Sequence, residues 1–321
     1  YLLLFKPLVK TMEIYIMKLN KIKLALGFVT AATLAMPMVA SAAADQEKAM
    51  KDPANWAHPR GQHDNQAYSK LTQINKGNVK NLKAAWTLST GVNRGHEGSP
   101  VVVGNMLYVH TAFPNNVYAL DLNNNQKVVW SYFPKQDPSV QAVLCCDNVN
   151  RGLGYGDGKI FLQQNDGMLV ALDAKTGAKV WDVRNTDPKV GATNTNAPHV
   201  IKDKILTGCS GAEFGVRCFI AAYNIADGSL AWKAMSTGSD ADALIGADFN
   251  KDTPLYSALS VYEDVNGGNK QGGSFKKIPT AQLKGGTTDL GLKTWLKPQA
   301  VKDGWQHGGG STWGWWPYDA K

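Results

Sequence analysis

Two cysteines stand side by side, Cys145-Cys146, in a chain of 321 residues that has four cysteines in all. A disulfide normally joins residues distant in sequence, and neighbours can bond only through a tight ring. Bonded to each other they would form a rigid, flat sulfur platform against which a planar ligand packs. The alternative is that each pairs elsewhere, with Cys209 and Cys218 available. Arg151 follows closely, and a guanidinium there suits a carboxylate or quinone oxygen. Glutamate is rare: after residue 42 only Glu47, Glu97, Glu213 and Glu263 occur, against 21 aspartates. Two of them sit among small residues, in Gly95-His96-Glu97-Gly98-Ser99-Pro100 and Cys209-Ser210-Gly211-Ala212-Glu213-Phe214-Gly215. Small neighbours let a ligand or hard cation come close; a solvated glutamate in a turn is the plain alternative. Trp313 offers a second flat surface, and Thr195 and Ser210 offer hydroxyls. This set suits a planar, multiply anionic aromatic cofactor with a hard cation.

Other chemistries lack their residues. No C-x-x-C-H attaches a c-type haem, and no H-x-x-x-H or C-x-x-C points to zinc. No G-x-G-x-x-G follows a strand, and no G-x-S-x-G elbow occurs. The formal net charge is +8, but five lysines against Glu13 in the first 42 residues contribute +4 of it. The remainder is too dilute for a nucleic-acid reader, which would show a clustered basic stripe.

The elements that must position these residues repeat. Ala171-Leu172-Asp173-Ala174-Lys175-Thr176-Gly177 leads to Trp181, and Ala222-Tyr223-Asn224-Ile225-Ala226-Asp227-Gly228 leads to Trp232 in the same frame. Ala119-Leu120-Asp121 through Trp130 is a third copy with one extra residue, so the tryptophans recur at a spacing of 51. Trp86 reads as an earlier remnant. Each unit predicts four short antiparallel strands; in the first they cover 100–103, 106–111, 117–122 and 128–132, with Gly/Asn turns between. The tryptophan is expected to wedge between neighbouring sheets with its N–H near a backbone carbonyl. Hydrophobic residues make up 44% and charged residues 19%, which excludes a disordered chain. The fold class is all-β, a β-propeller of four-stranded blades with tryptophan-docking motifs. The rhythm breaks over 236–305, read as a long insertion or loop region, and resumes at Gly308. The chain stops within a unit, so an incomplete propeller is expected.

Residue 1 is Tyr. From Met17, a basic stretch with Lys18, Lys21 and Lys23 precedes an apolar run and Ala40-Ser41-Ala42. This order predicts a signal peptide over 17–42 rather than a membrane anchor. It leaves 1–16 as upstream non-native sequence, 43–321 as the exported propeller portion, and a periplasmic location with no membrane span after signal removal.

The tryptophan units, Cys145-Cys146-Asp147-x-x-Asn150-Arg151-Gly152, Gly208-Cys209-Ser210-Gly211-Ala212-Glu213-Phe214-Gly215-Val216-Arg217 and Gly309-Gly310-x-x-Trp313-Gly314-Trp315 resemble the large catalytic subunit of PQQ-dependent methanol dehydrogenases. The likeness runs from about Trp56 to the C-terminus. It implies an eight-bladed propeller about twice this length, binding pyrroloquinoline quinone (PQQ) and one Ca2+ or lanthanide ion. It implies a Cys145–Cys146 ring disulfide on one face of the quinone and Trp313 on the other. Glu97, Arg151, Thr195, Ser210, Gly211 and Ala212 would contact the cofactor in its plane, and Glu213 would be a metal ligand. The reaction implied is oxidation of a small alcohol to an aldehyde, with electrons passed to a c-type cytochrome; a homodimer is compatible with it. The catalytic Asp base and the Asn metal ligand are expected beyond Lys321, so the chain is expected to be inactive alone. Cys218 stands where the family has Gly, and is either a free thiol or the partner of Cys209. The Glu-Phe-Gly-Val-Arg loop and Thr294-Trp295-Leu296-Lys297 lean towards the lanthanide type. A non-enzymatic propeller scaffold of the outer-membrane assembly type is the alternative, and it needs neither the cysteine pair nor Glu213.

Overall fold

A computed structural model describes residues 42–237, 261–264, 275–278 and 310–319. Almost all of the expected signal and insertion segments lie outside the described residues. Three four-stranded antiparallel sheets dominate, each in sequential strand order. The first holds β1 (Val101–Val103), β2 (Met106–His110), β3 (Val117–Asp121) and β4 (Lys127–Tyr132). The second holds β5 (Leu153–Gly156), β6 (Lys159–Gln163), β7 (Met168–Asp173) and β8 (Lys179–Arg184). The third holds β9 (His199–Ile201), β10 (Lys204–Thr207), β11 (Phe219–Asn224) and β12 (Leu230–Met235). A separate hairpin pairs β13 (Val261–Asp264) with β14 (Phe275–Ile278) inside the segment read as an insertion. The four strands of the first unit lie within a residue or so of their expected bounds.

Strand alternation explains why the second sheet reads as nearly continuous apolar sequence. Side chains on a strand point alternately to the two faces. Ile160, Leu162, Val170 and Leu172 pack with Val101, Tyr108, Val117 and Trp130 of the first sheet. Their neighbours Phe161, Leu169 and Ala171 pack with Val200, Ile205 and Phe219 of the third. Both faces are therefore covered, whereas the outer strand β8 alternates between exposed and half-buried. The tight β5–β6 turn places Asp157 at φ 53° and Gly158 at φ 62°, the pair of left-handed residues that a two-residue hairpin turn requires. The N-terminal helix α1 (Ala42–Lys51) is pinned to this turn, because the Asp45 carboxylate accepts from the backbone N–H groups of Asp157 and Gly158, both at 2.9 Å.

The repeated tryptophans dock as their spacing predicts. Trp130 and Trp181 donate from Nε1 to the carbonyls of Ala174 (3.1 Å) and Ile225 (3.3 Å), each 44 residues ahead in the next unit. In each unit the tryptophan faces an alanine beside a β-bulge: Ala119 opposite Trp130, Ala171 opposite Trp181, Ala222 opposite Trp232. The Asp173 turn is locked by its own carboxylate, whose Oδ1 accepts from the N–H groups of Lys175 (3.0 Å) and Thr176 (2.8 Å) and from the Thr176 hydroxyl (2.8 Å). These bonds, the Thr176 hydroxyl first, hold the Asp173 carboxyl below the ordinary carboxylate range. Trp86 differs from the expectation of a unit remnant: it lies in no strand and is 41% exposed. It precedes Trp130 by 44 residues rather than 51, so it is out of the repeat register.

Candidate functional site

The site lies where two loops between sheets meet one loop within the third sheet. Residues 145–151 run from the first sheet to the second, 193–196 from the second to the third, and 208–213 join β10 to β11. An isolated antiparallel bridge, Thr193 with Ser210, ties the last two together, and a parallel bridge joins Gly152, at the end of the first, to Ser99 before β1. Cys145 and Cys146 are bonded to each other. Cys209 pairs with Cys218, nine residues on, so Cys218 is not a free thiol, and neither cysteine is left to draw the vicinal pair apart.

Arg151 is the hub. Its Nη1 donates to the Thr195 hydroxyl at 3.0 Å and the Thr195 carbonyl at 3.1 Å, and Nη2 lies 3.5 Å from Glu97 Oε2. Thr195 and Ser210 share a hydroxyl–hydroxyl bond of 2.6 Å. The guanidinium carbon sits 4.3 Å from the centroid of the Trp313 ring, a favourable cation–π distance. Burial lowers the Arg151 pKa from its ordinary value, opposed by the nearby Glu97 charge; it remains a permanent cation. Five of the expected site residues, Glu97, Arg151, Thr195, Ser210 and Trp313, thus form one connected cluster.

Trp313 reaches it through its neighbour. The Thr312 hydroxyl accepts from the Cys209 N–H at 3.0 Å and donates to the Phe219 carbonyl at 2.5 Å. Gly208 must be glycine there, since a Cβ would fall 1.9 Å from the Thr312 carbonyl oxygen. The same holds elsewhere in the small-residue motifs: a Cβ on Gly98 would lie 1.9 Å from His110, and one on Gly211, at φ +113°, 2.0 Å from the Gly191 carbonyl. These three glycines are required by close packing. His110 is buried, bonded through Nε2 to the Asn150 carbonyl at 3.0 Å, and burial lowers its pKa to about 4.

Gly211 is the N-cap of a single-turn 3-10 helix, Ala212–Phe214. Glu213 on that turn is exposed, and among the described residues no hydrogen bond or ion pair engages it. Among the described residues no group of three or more His, Cys, Asp or Glu is arranged to hold a metal. Sequence reasoning missed an asparagine network under the site, in which Asn115, Asn165, Asn185 and Asn194 are all buried and interlinked. Asn115 and Asn165 are 50 residues apart, close to the repeat pitch, which is the signal that could have exposed them.

These sheets and docking tryptophans define a β-propeller, whose loops carry both the Arg151 cluster and the vicinal disulfide. The chain belongs to the family described as PQQ: Glucose/ethanol/alcohol dehydrogenase, beta-propeller domain, which matches residues 56–254. It is 48% identical over 274 residues to the lanthanide-dependent methanol dehydrogenase of Methylorubrum extorquens, covering 85% of this chain and 40% of that protein. It is 43% identical over 303 residues to methanol dehydrogenase [cytochrome c] subunit 1 of Paracoccus denitrificans, covering 92% of this chain and 43% of the relative. A solved europium-containing methanol dehydrogenase superposes with a TM-score of 0.68 at 43% identity, over 86% of this chain and 42% of that one. The chain therefore spans about two-fifths of the length of these relatives.

Proposed function

We propose that this chain is part of a periplasmic PQQ-dependent alcohol dehydrogenase that oxidises methanol or another primary alcohol to the aldehyde and passes the electrons to a c-type cytochrome. The observation that carries the reading is the cluster in which Arg151 joins Glu97, the Thr195–Ser210 hydroxyl pair and the Trp313 ring. The chemistry supplied by bound PQQ is two-electron oxidation of the alcohol carbon. Around it, Arg151, Thr195 and Ser210 would hold the carboxylate and carbonyl oxygens in the plane, while the Cys145–Cys146 disulfide and Trp313 would cover the two faces and exclude water. The fit is supported by buried polar atoms that lack partners in the same loop: Thr193 Oγ1, Asn194 Nδ2 and Asn196 Oδ1.

Glu213 would supply one carboxylate to the ion. Hard cations of this kind take about six or more oxygen ligands, so the described residues do not make a complete coordination shell. The remaining ligands and the catalytic base would come from the length of the relatives that this chain does not span. Export by a signal over 17–42 fits a protein with two disulfides, which persist in oxidising compartments. Among the described residues no helix is long and apolar enough to cross a membrane. The test is to express the full-length gene product, load it with PQQ and Ca2+ or a light lanthanide, and assay methanol with a dye acceptor. Turnover is expected; absence of both turnover and PQQ binding with every metal tried would refute the proposal.

A further inference from the structure

One fully buried polar residue beside the site touches none of the expected ligands. Asn165 sits in the turn after β6 and is fully buried. Its Nδ2 donates to the Val149 carbonyl at 3.1 Å and to the Asn194 carbonyl at 2.8 Å. Its Oδ1 accepts from Asn115 Nδ2 at 2.7 Å, and its backbone N–H donates to Asn115 Oδ1 at 2.8 Å. Val149 lies between the vicinal cysteines and Arg151, and Asn194 immediately precedes Thr195. One amide therefore clamps the backbones of the two loops whose side chains meet again at the rim through Arg151 and Thr195. Asn185 extends the clamp, donating from Nδ2 to Asn194 Oδ1 at 2.9 Å and to the Gly208 carbonyl at 3.0 Å, which brings in the loop bearing Ser210. Buried amide networks of this sort fix geometry because each unmade bond leaves a desolvated carbonyl or N–H.

We propose that Asn165 is a positioning residue for the cofactor site, setting the distance between the 145–151 loop and the 193–196 loop. This rests on the PQQ reading above. Asn165→Asp is isosteric but replaces both donors with an acceptor facing two carbonyl oxygens. Asn165→Ser keeps one short donor. Asn115→Ala removes the partner on the far side, which bonds to neither loop through its side chain, and serves as the control for general loosening. In the full-length apoprotein, PQQ binding followed by tryptophan quenching should weaken at least tenfold in both Asn165 variants and less than threefold in Asn115→Ala. Amide hydrogen exchange without cofactor gives a second readout: exchange across 145–151 and 193–196 should quicken at least tenfold in Asn165→Asp and stay near wild type in Asn115→Ala. If the wild type fails to bind PQQ, the cofactor reading fails and the exchange experiment alone judges Asn165. Binding within twofold of wild type in Asn165→Asp, equal effects in all three variants, unchanged exchange, or unfolding of both Asn165 variants would each overturn the positioning role.

Discussion

The docking of each tryptophan on the next unit makes a quantitative claim about one glycine. Gly177 has φ +73°, and a Cβ there would lie 2.6 Å from Cδ2 and Cε3 of Trp130. Gly158 has a similar φ, +62°, and a Cβ there would meet nothing within 4 Å. Alanine in the left-handed region costs about 1–2 kcal/mol at either position. Only at Gly177 must a buried indole also move, and that indole is held by its Nε1 bond to Ala174 and is 8% exposed. Overpacking of this kind costs about 1–3 kcal/mol. Gly158→Ala should therefore destabilise by about 1–2 kcal/mol, and Gly177→Ala by that amount plus about 1–3 kcal/mol. Gly228, whose Cβ would lie 2.7 Å from Trp181 Cε3 at φ +74°, should behave like Gly177. Urea unfolding of the full-length protein, followed by tryptophan emission, measures all three. If Gly177→Ala and Gly158→Ala agree within about 0.5 kcal/mol, the size of an ordinary surface substitution, the docking argument is wrong.

Acid should weaken the fold before it protonates most carboxylates. Burial lowers the pKa of both His110 and His199 to about 4, below the roughly 6.5 of an unfolded histidine. The unfolded state binds more protons between these values, so this stability is complete above about pH 6.5 and is lost as pH falls towards 4; at pH 5 each histidine should cost about 2 kcal/mol. Melting by circular dichroism should show a fall in Tm from pH 7 to pH 5 that shrinks in His110→Gln; a flat profile would contradict the burial argument. Thr312→Val removes the hydroxyl bonds to Cys209 and Phe219 and should cost about 1–3 kcal/mol while weakening PQQ binding, measured by denaturation and by fluorescence titration. Arg151→Lys keeps the charge but loses the planar fork, and should weaken PQQ binding at least tenfold with little change in Tm; equal affinity would remove Arg151 from the site.

The sequence showed the architecture because the propeller is written in local signals. The Asp-x-x-Thr-Gly turn, the tryptophan at a fixed interval and the two-sided apolar runs of β6 and β7 each specify a strand, a bulge or a docking contact within one unit. Arg151, Thr195 and Ser210 were legible as chemical types, and their joining required that two loops between sheets converge with the β10–β11 loop within one sheet. Two glycines of the Glu97 and Glu213 motifs have a packing role that has no sequence pattern: a Cβ on Gly98 would meet His110 and one on Gly211 the Gly191 carbonyl. The buried asparagines and the edge-on rings of His58, His63 and His199 stayed hidden because polar residues in loops look solvated until the fold encloses them. Trp86 carried the right residue type at the wrong interval, and interval rather than type decided its fate.

The central claim is that residues from several loops hold a quinone edge-on to Arg151 and face-on to a sulfur platform and an indole. The most direct measurement is a crystal structure of the full-length protein with PQQ bound. The ring system should lie between the Cys145–Cys146 disulfide and Trp313, with Arg151, Thr195 and Ser210 within hydrogen-bond reach of its oxygens. PQQ bound at another surface, or a bound quinone flanked by neither the disulfide nor Trp313, would contradict it.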